Sequence, residues 1–538
     1  MSKRLQTLAL LLSVFIVLTV VPPFHALQAA DTDVDTANSW SKLTNMPTSR
    51  YGLGLAVVAG RIYAIGGLND TGELAVNEMY EPGTNRWSAK MSMPTARSGF
   101  AIAVYENKIY VIGGAVGDSF TGNMEIYNTI TDTWETGISM PTPRADLSAN
   151  IVDGKIYLIG GRTYSGGTPN NSQTDVTQVY DVKANTWSTN TSMPVALQGY
   201  ASTVVGSKIY VIGGARQVVS GVDSSSNLLQ IYDTQTGVWV NGSSLSAPVS
   251  YGSAVVTSGV MAPMRIYYIG GYSMGAFSDK TLIYNLEDDS WSEGAKMSTV
   301  RAYLGLVVVN DIIYAMGGFD GLRGLNLNEE FRPYDYGKIP PVITVLSPEN
   351  MTYKSLQIEY EISKVASWIG YSLDNKANIT LTGVTEVLDL SDGPHVIIIF
   401  ANDTLGNMGA SEPVYFTIDN AAPIITILIP LTQTYSTADI VLTFVVNKPV
   451  SYLSYSLDGK RATPITGNVT LPALSDGDHT IIVHAVDELG NEGSSNEVTF
   501  VVSTFPIFEV STIVTVAIII LAAMYLVIVK RVKPVKPQ

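Results

Sequence analysis

The hexapeptide IYVIGG occupies positions 109–114 and again 209–214, and close variants begin at Ile62, Ile156, Ile266 and Ile313. Each copy ends in paired glycines: Gly66 and Gly67, Gly113 and Gly114, Gly160 and Gly161, Gly213 and Gly214, Gly270 and Gly271, Gly317 and Gly318. Between first glycines the spacing runs from 47 to 57 residues, a period that means a solenoid or a propeller rather than a coiled coil or collagen.

Two further markers run in phase. Tyr80, Tyr127, Tyr180, Tyr232 and Tyr284 are each followed seven positions later by a tryptophan, at Trp87, Trp134, Trp187, Trp239 and Trp291. Before each apolar strand stands a phrase such as MPTSR, closing on Arg50, Arg97, Arg144 and Arg301, with weaker versions at Leu197 and Ser250. Together the arginine, the Gly-Gly strand, the tyrosine strand and the Trp-led strand resemble the kelch motif across residues 38–336. The resemblance implies an all-β fold, a six-bladed kelch β-propeller of four-stranded sheets. Phrases such as GFAIAVY and KIYVIGG are apolar on both faces, as strands packed between neighbouring sheets must be. One such sheet cannot bury both faces alone, so the blades must close into a ring. Trp40 opens a fourth-strand phrase with no strands before it, whereas the last repeat runs past Tyr334 without its tryptophan. The N-terminal strand is expected to complete the sixth blade.

From Pro340 a second repeat of about 84 residues takes over: YSLD at Tyr371 returns at Tyr455, SDG at Ser391 returns at Ser475, and ANDTLGN at Ala401 is answered by AVDELGN at Ala485. Alternating strands with turn dipeptides such as Asp458-Gly459 predict two β-sandwiches, at 340–420 and 421–503. They resemble the immunoglobulin-like or fibronectin-like modules of prokaryotic surface proteins.

Both ends of the chain are apolar. Residues 1–30 carry Lys3 and Arg4, then an apolar run, the layout of a secretory signal; an uncleaved anchor is the alternative, because Gln28 disturbs the cleavage site. Residues 510–529 hold an uncharged stretch long enough for a transmembrane helix, and the basic tail 530–538 places the C-terminus in the cytosol. Almost no helix is expected outside these ends. The expected localisation is the cell membrane, single-pass, with the ectodomain outside.

The net charge of −15 argues against nucleic acid, which needs a basic stripe. Without cysteine there is no disulfide framework and no thiolate chemistry, and an exported chain of this kind points to a bacterial or archaeal envelope. Eight N-x-[ST] sequons, at Asn69, Asn170, Asn190, Asn241, Asn350, Asn378, Asn402 and Asn468, are possible glycosylation sites, or simply turn sequences. Among kelch-type enzymes, a galactose-oxidase-like copper site lacks its cysteine and histidines here, since His25, His395, His479 and His484 all fall outside the propeller. No sialidase Asp-box is present. A kelch sugar epimerase or mutarotase remains an alternative.

The leading expectation is a membrane-anchored binding or adhesion protein, not an enzyme, whose propeller takes an extracellular protein or glycan and whose sandwiches form a stalk. A structural envelope component is the third reading. Arg50, Arg97, Arg144 and Arg301 form either a positive rim for an anionic sugar or, the preferred reading, pairs with carboxylates or backbone carbonyls that hold neighbouring blades together. The long loops after the third and fourth Gly-Gly pairs nominate Arg162, Tyr164, Arg216 and Asp223 as contacts. Asp403, Asn407, Asp487 and Asn491 suit calcium or ordinary turns; the turn reading is preferred, with no metal and no cofactor.

Overall fold

The computed structural model describes residues 37–531 except 166–169, 218–222, 384, 388–389 and 505–506; the segment 1–30, expected to be a secretory signal or an anchor, lies outside them. The chain forms two compact units, 1–339 and 340–538.

The described part of the first unit contains six four-stranded antiparallel sheets. In the first sheet, Gly54–Val58 lies innermost, followed by Arg61–Ile65, Asn77–Glu81 and Arg86–Lys90. The same order repeats from innermost strands Ala101–Tyr105, Ser148–Val152, Ala201–Val205 and Ser253–Val256. The sixth sheet takes three strands from Gly305–Val309, Ile312–Met316 and Asn328–Arg332, and its fourth from Ser39–Lys42, where Trp40 lies opposite Phe331. Innermost strands touch their neighbours in cyclic order, the sixth returning to the first, so the ring is closed. The second strands are the most buried: Ile62, Ile109, Ile156, Ile209, Ile266 and Ile313 have no exposure. Exposure grows outward, and in the fourth strands the tryptophans are half-buried while most of their neighbours are exposed.

The paired glycines are explained by a close approach between neighbouring repeats. A Cβ on the first glycine would lie 2.5–2.9 Å from a backbone carbonyl of the next repeat, belonging to Arg97, Arg144, Leu197, Val249, Arg301 and Arg50 in turn. The second glycine donates its N–H to that same carbonyl at 2.8–3.0 Å. Both glycines have positive φ, where a side chain is strained. These contacts align the fifth arginine position with Val249, not with Ser250 as the sequence spacing suggested.

The tryptophans form a second set of ties. The indole of Trp87 donates to the carbonyl of Thr44, whose N–H donates to Asn85, and Asn85 also accepts from Tyr80. Trp134, Met91, Asp132 and Tyr127 repeat the arrangement, as do Trp291, Ser243, Asp289 and Tyr284. The closing strand carries it as well: Trp40 donates to Ala295, which donates to Asn38. Phe331 occupies the tyrosine position of the sixth sheet, and Tyr334 instead supplies the hydroxyl that accepts from Asn38.

The second unit holds two modules of two sheets each. In the first, the three-stranded sheet of Ile343–Ser347, Leu356–Ile362 and Thr385–Val387 shares a core with a larger sheet built on Ala366–Leu373, Gly393–Asp403 and Val414–Ile418. The second repeats this with Ile425–Ile429, Val441–Val446 and Val469–Thr470 against Tyr452–Leu457, Gly477–Val486 and Val498–Val502. Among the described residues, helix is confined to one short turn at Pro82–Thr84 and to Ile507–Arg531. The described side chains of that last helix run from 514 to 528, about 22 Å, and among described residues no helix is long and apolar enough to cross a membrane.

Candidate functional site

The four arginines expected at a channel mouth are buried with no exposure. Arg50, Arg97 and Arg301 pair with Glu78, Glu125 and Glu329 at 2.9, 3.0 and 2.6 Å. Arg144 has no carboxylate and donates to Gln178 and to the carbonyls of Gly160 and Val176. Burial pushes the Arg144 and Arg301 guanidinium groups down to about 10, against the pull of Glu329 in the latter case. The hydroxyls of Thr48, Thr95 and Ser298 donate to the three glutamates. In place of an open cationic rim the structure has four enclosed ties, because each guanidinium is turned inside its own sheet, where it meets carboxylate, amide or carbonyl oxygens, while Nε of Arg50, Arg97 and Arg144 and Nη1 of Arg50 stay buried without a partner among the described residues. The signal was present in the sequence: a Glu or Gln stands two places before the aromatic of each strand concerned, at Glu78, Glu125, Gln178 and Glu329.

Two residues beyond each arginine position the backbone builds a ring. Gly52 donates to Tyr303, Tyr303 to Tyr251, Tyr251 to Gly199, Gly199 to Asp146, Asp146 to Gly99, and Gly99 back to Gly52, at 2.6–3.0 Å. All six have φ between 53° and 62°. Glycine suits that conformation, whereas an aspartate and two tyrosines are held there at a cost of order 1–3 kcal/mol each, and such strain concentrates at functional positions. Sequence reasoning missed Asp146, Tyr251 and Tyr303; their signal is the departure from Gly at the position two beyond the arginine.

The side chains divide this mouth. Tyr251 and Tyr303 stack at 4.6 Å, and Tyr51, 6.1 Å from Tyr303, continues the aromatic arc to Phe319. Asp146 stands opposite Tyr303 in the cyclic order, paired at 2.7 Å with Arg162, which lies over Phe120. Gln198 donates to the Tyr251 hydroxyl. Burial raises the Tyr303 phenol, and Tyr251 and Asp146 push it the same way while Arg162 opposes, so the hydroxyl stays a donor at neutral pH. Further along the channel the innermost strands line a cavity of about 310 Å³, aliphatic except for Asn150, Ser202 and Thr203.

The loops after Gly-Gly start at this mouth, since Ala145 bridges Arg162 and Gln198 bridges Ala215. Arg162–Ser165 pairs with Asn170–Gln173, and Ala215–Gln217 with Asp223–Ser225. Arg162 is thus brought into the mouth and Arg216 is exposed at its edge; the side chains of Tyr164 and Asp223 lie outside those described. Asp403 and Asp487 sit in turns, each bound by the N–H groups of its own turn, by Asn407 or Asn491, and by the ammonium of Lys364 or Lys448. A cation is therefore already supplied by the chain. Of the sequons, Asn190, Asn241, Asn350, Asn378 and Asn468 are exposed.

An arc of aromatic faces opposite an Arg–Asp pair, on six sheets closed into a ring, defines a β-propeller with its polar and aromatic groups gathered at one channel mouth. Residues 79–326 match the model of the Attractin/LZTR1 beta-propeller, and residues 49–94 match the Kelch motif, so the first unit carries kelch repeats in a propeller. Kelch-like protein 23 of Homo sapiens is 27% identical over 159 residues, covering 29% of this chain and 27% of that protein. Kelch-like protein terF of Aspergillus terreus is 29% identical over 152 residues, covering 27% and 32%. The chain thus spans about three tenths of the length of these curated relatives. The solved structure of YjhT aligns with a TM-score of 0.45 at 17% identity, over 54% of this chain and 96% of that one.

Proposed function

We propose that this protein is a membrane-anchored surface binding protein: a six-bladed kelch propeller presents the Asp146–Tyr251–Tyr303 mouth to an extracellular protein or glycan, and two immunoglobulin-like modules serve as its stalk. The observation that carries the binding role is the backbone ring with three non-glycine residues in a left-handed conformation. Aromatic faces opposite a charged pair suit a ligand with one apolar face and a polar edge, as sugars and aromatic-rich peptide loops have. For the anchor, the support is the uncovered apolar surface of the terminal helix, where Ile518, Leu521, Tyr525 and Ile528 are 60–68% exposed, a surface that lipid satisfies and water does not. The basic residues after it orient the chain.

The test is binding of the full-length protein in lipid nanodiscs to a panel of neutral and anionic glycans and to a panel of cell-surface proteins. Tyr303→Ala and Asp146→Ala are compared with Arg216→Ala, each checked for an unchanged thermal transition. Loss of binding in folded mouth variants supports the reading; unchanged binding moves the site elsewhere. Turnover of a sugar by the same preparation would favour an epimerase.

A further inference from the structure

The second two-sheet module carries a pocket that neither the propeller's binding role nor the stalk role uses. It measures about 370 Å³ and is lined by Asp458, Lys460, Arg461, Thr463, Ala473 and His479 among others. Its acidic group is already engaged, because Asp458 pairs with His479 at 3.0 Å. Lys460 and Arg461 are exposed and take part in no ion pair among the described residues. In a chain of net charge −15, two unpaired cations over a concave, polar pocket suit an anion.

The topology places that pocket at one end of the module. Leu457 pairs with Ile481 and Gly477 pairs with Val502, so the Asp458–Arg461 turn and the last strand's exit share an end. Asp476, next to the pocket wall at Ser475, accepts hydrogen bonds from the N–H and hydroxyl of Thr504. The helix Ile507–Arg531 begins three residues later, at most about 10 Å of extended chain. The first module shows the difference position by position. At an offset of 84, its residues matching Lys460, Arg461 and Ala473 are Lys376, Ala377 and Asp389. The module next to the apolar helix has gained an arginine and shed an aspartate at the end from which that helix leaves.

We infer that the Lys460–Arg461 pocket binds the phosphate of an anionic lipid headgroup in the outer leaflet, an inference that rests on the helix lying in a membrane. Lysine and arginine held beside an anionic surface attract it cumulatively, and a pocket fixed on a turn next to the anchor would set how the stalk stands on that surface.

The absence of cysteine allows a single label. Full-length protein carrying Ala462→Cys with a fluorophore is reconstituted into phosphatidylcholine vesicles doped with headgroup-spin-labelled phosphatidylglycerol or phosphatidylcholine. Preferential quenching by the anionic lipid is expected, falling by about tenfold in Lys460→Gln with Arg461→Gln, and unchanged by Lys376→Gln in the first module. Flotation and alkaline extraction are read on the same samples. Protein that fails to float with vesicles defeats the membrane reading itself. Protein that floats and resists extraction but shows equal quenching by both lipids overturns the headgroup site alone. Binding of inorganic phosphate by the protein, lost in the Lys460→Gln with Arg461→Gln variant, together with equal quenching by both lipids would assign the pocket to a free phosphate and overturn the lipid assignment.

Discussion

Both halves of the chain are made of repeats, yet they distribute their bonds differently. In the propeller every core lies between repeats: Leu55 and Ile62 of the first sheet pack with Val307 and Tyr314 of the sixth, and Val58 and Ile65 pack with Ile109 and Val111 of the second. In the second unit each module keeps its core to itself. A propeller repeat is thus completed only by its neighbours, and the ring only by its first strand, whereas a two-sheet module is complete after its own 84 residues. The difference predicts one cooperative transition for the propeller and separable behaviour for the modules.

The largest expected effect comes from breaking an enclosed tie. Glu329→Ala leaves Arg301 buried without its carboxylate and should cost the propeller about 3–5 kcal/mol. Calorimetry of the full-length protein should show the propeller transition falling while that of the modules stays in place; a joint shift would break the comparison. The paired change Arg301→Met with Glu329→Met removes both charges and should recover part of the loss.

Closure is tested next. Trp40→Ala and Trp134→Ala remove the same kind of clasp, one at the seam and one within the continuous chain. Each should cost about 3 kcal/mol, but only the seam variant should increase limited proteolysis around residues 37–45.

Smaller effects separate crowded from open glycines. Gly213→Ala drives a Cβ to 2.5 Å from the Val249 carbonyl at φ 63° and should cost about 2–3 kcal/mol. Gly459→Ala in a module turn has φ 67° but no atom within 4 Å and should cost only about 1 kcal/mol. Equal urea midpoint shifts would show that backbone strain alone, not the close approach, is at work.

The smallest effect is a pH slope confined to the modules. Burial opposes charge on His395 and His479, but the Ser391 and Ser475 carbonyls and the Asp374 and Asp458 carboxylates outweigh it and raise both imidazoles. A raised folded pKa contributes stability that is complete below about pH 6.5 and is lost as pH rises through the folded value. For Asp374 and Asp458, desolvation is outweighed by the histidine and backbone hydrogen bonds, so both are lowered, and their contribution is lost only as acid takes pH down through the folded values. Module stability should therefore decline from pH 6 to 8, and His395→Gln with His479→Gln should flatten that decline. The propeller segment 38–336 contains no histidine and should show no matching slope; a parallel slope there would defeat the assignment.

Much of this was legible in the residues. The six-fold phrase, the Tyr-to-Trp spacing and the stray Trp40 pointed to a ring closed by its own first strand, because periodic patterns record local geometry that must recur. The 84-residue repeat located both modules for the same reason. The arginines were harder to read, since a charged residue at a strand start looks alike whether it faces solvent or an enclosed carboxylate. Their glutamate partners lie 28 positions on in each of three repeats, and only folding shows that Arg50 meets Glu78 and Arg301 meets Glu329.

What the amino-acid order determined by itself was therefore the repeat: its period, its apolar strands, its glycine pairs and its aromatic clasps, all properties of one unit and its immediate neighbours. Tertiary structure alone decided which groups meet around the axis. Asp146 and Tyr303 stand 157 positions apart in the chain yet face each other across one channel mouth, because that juxtaposition depends on how six units sum to a closed circle, and no local pattern encodes such a sum.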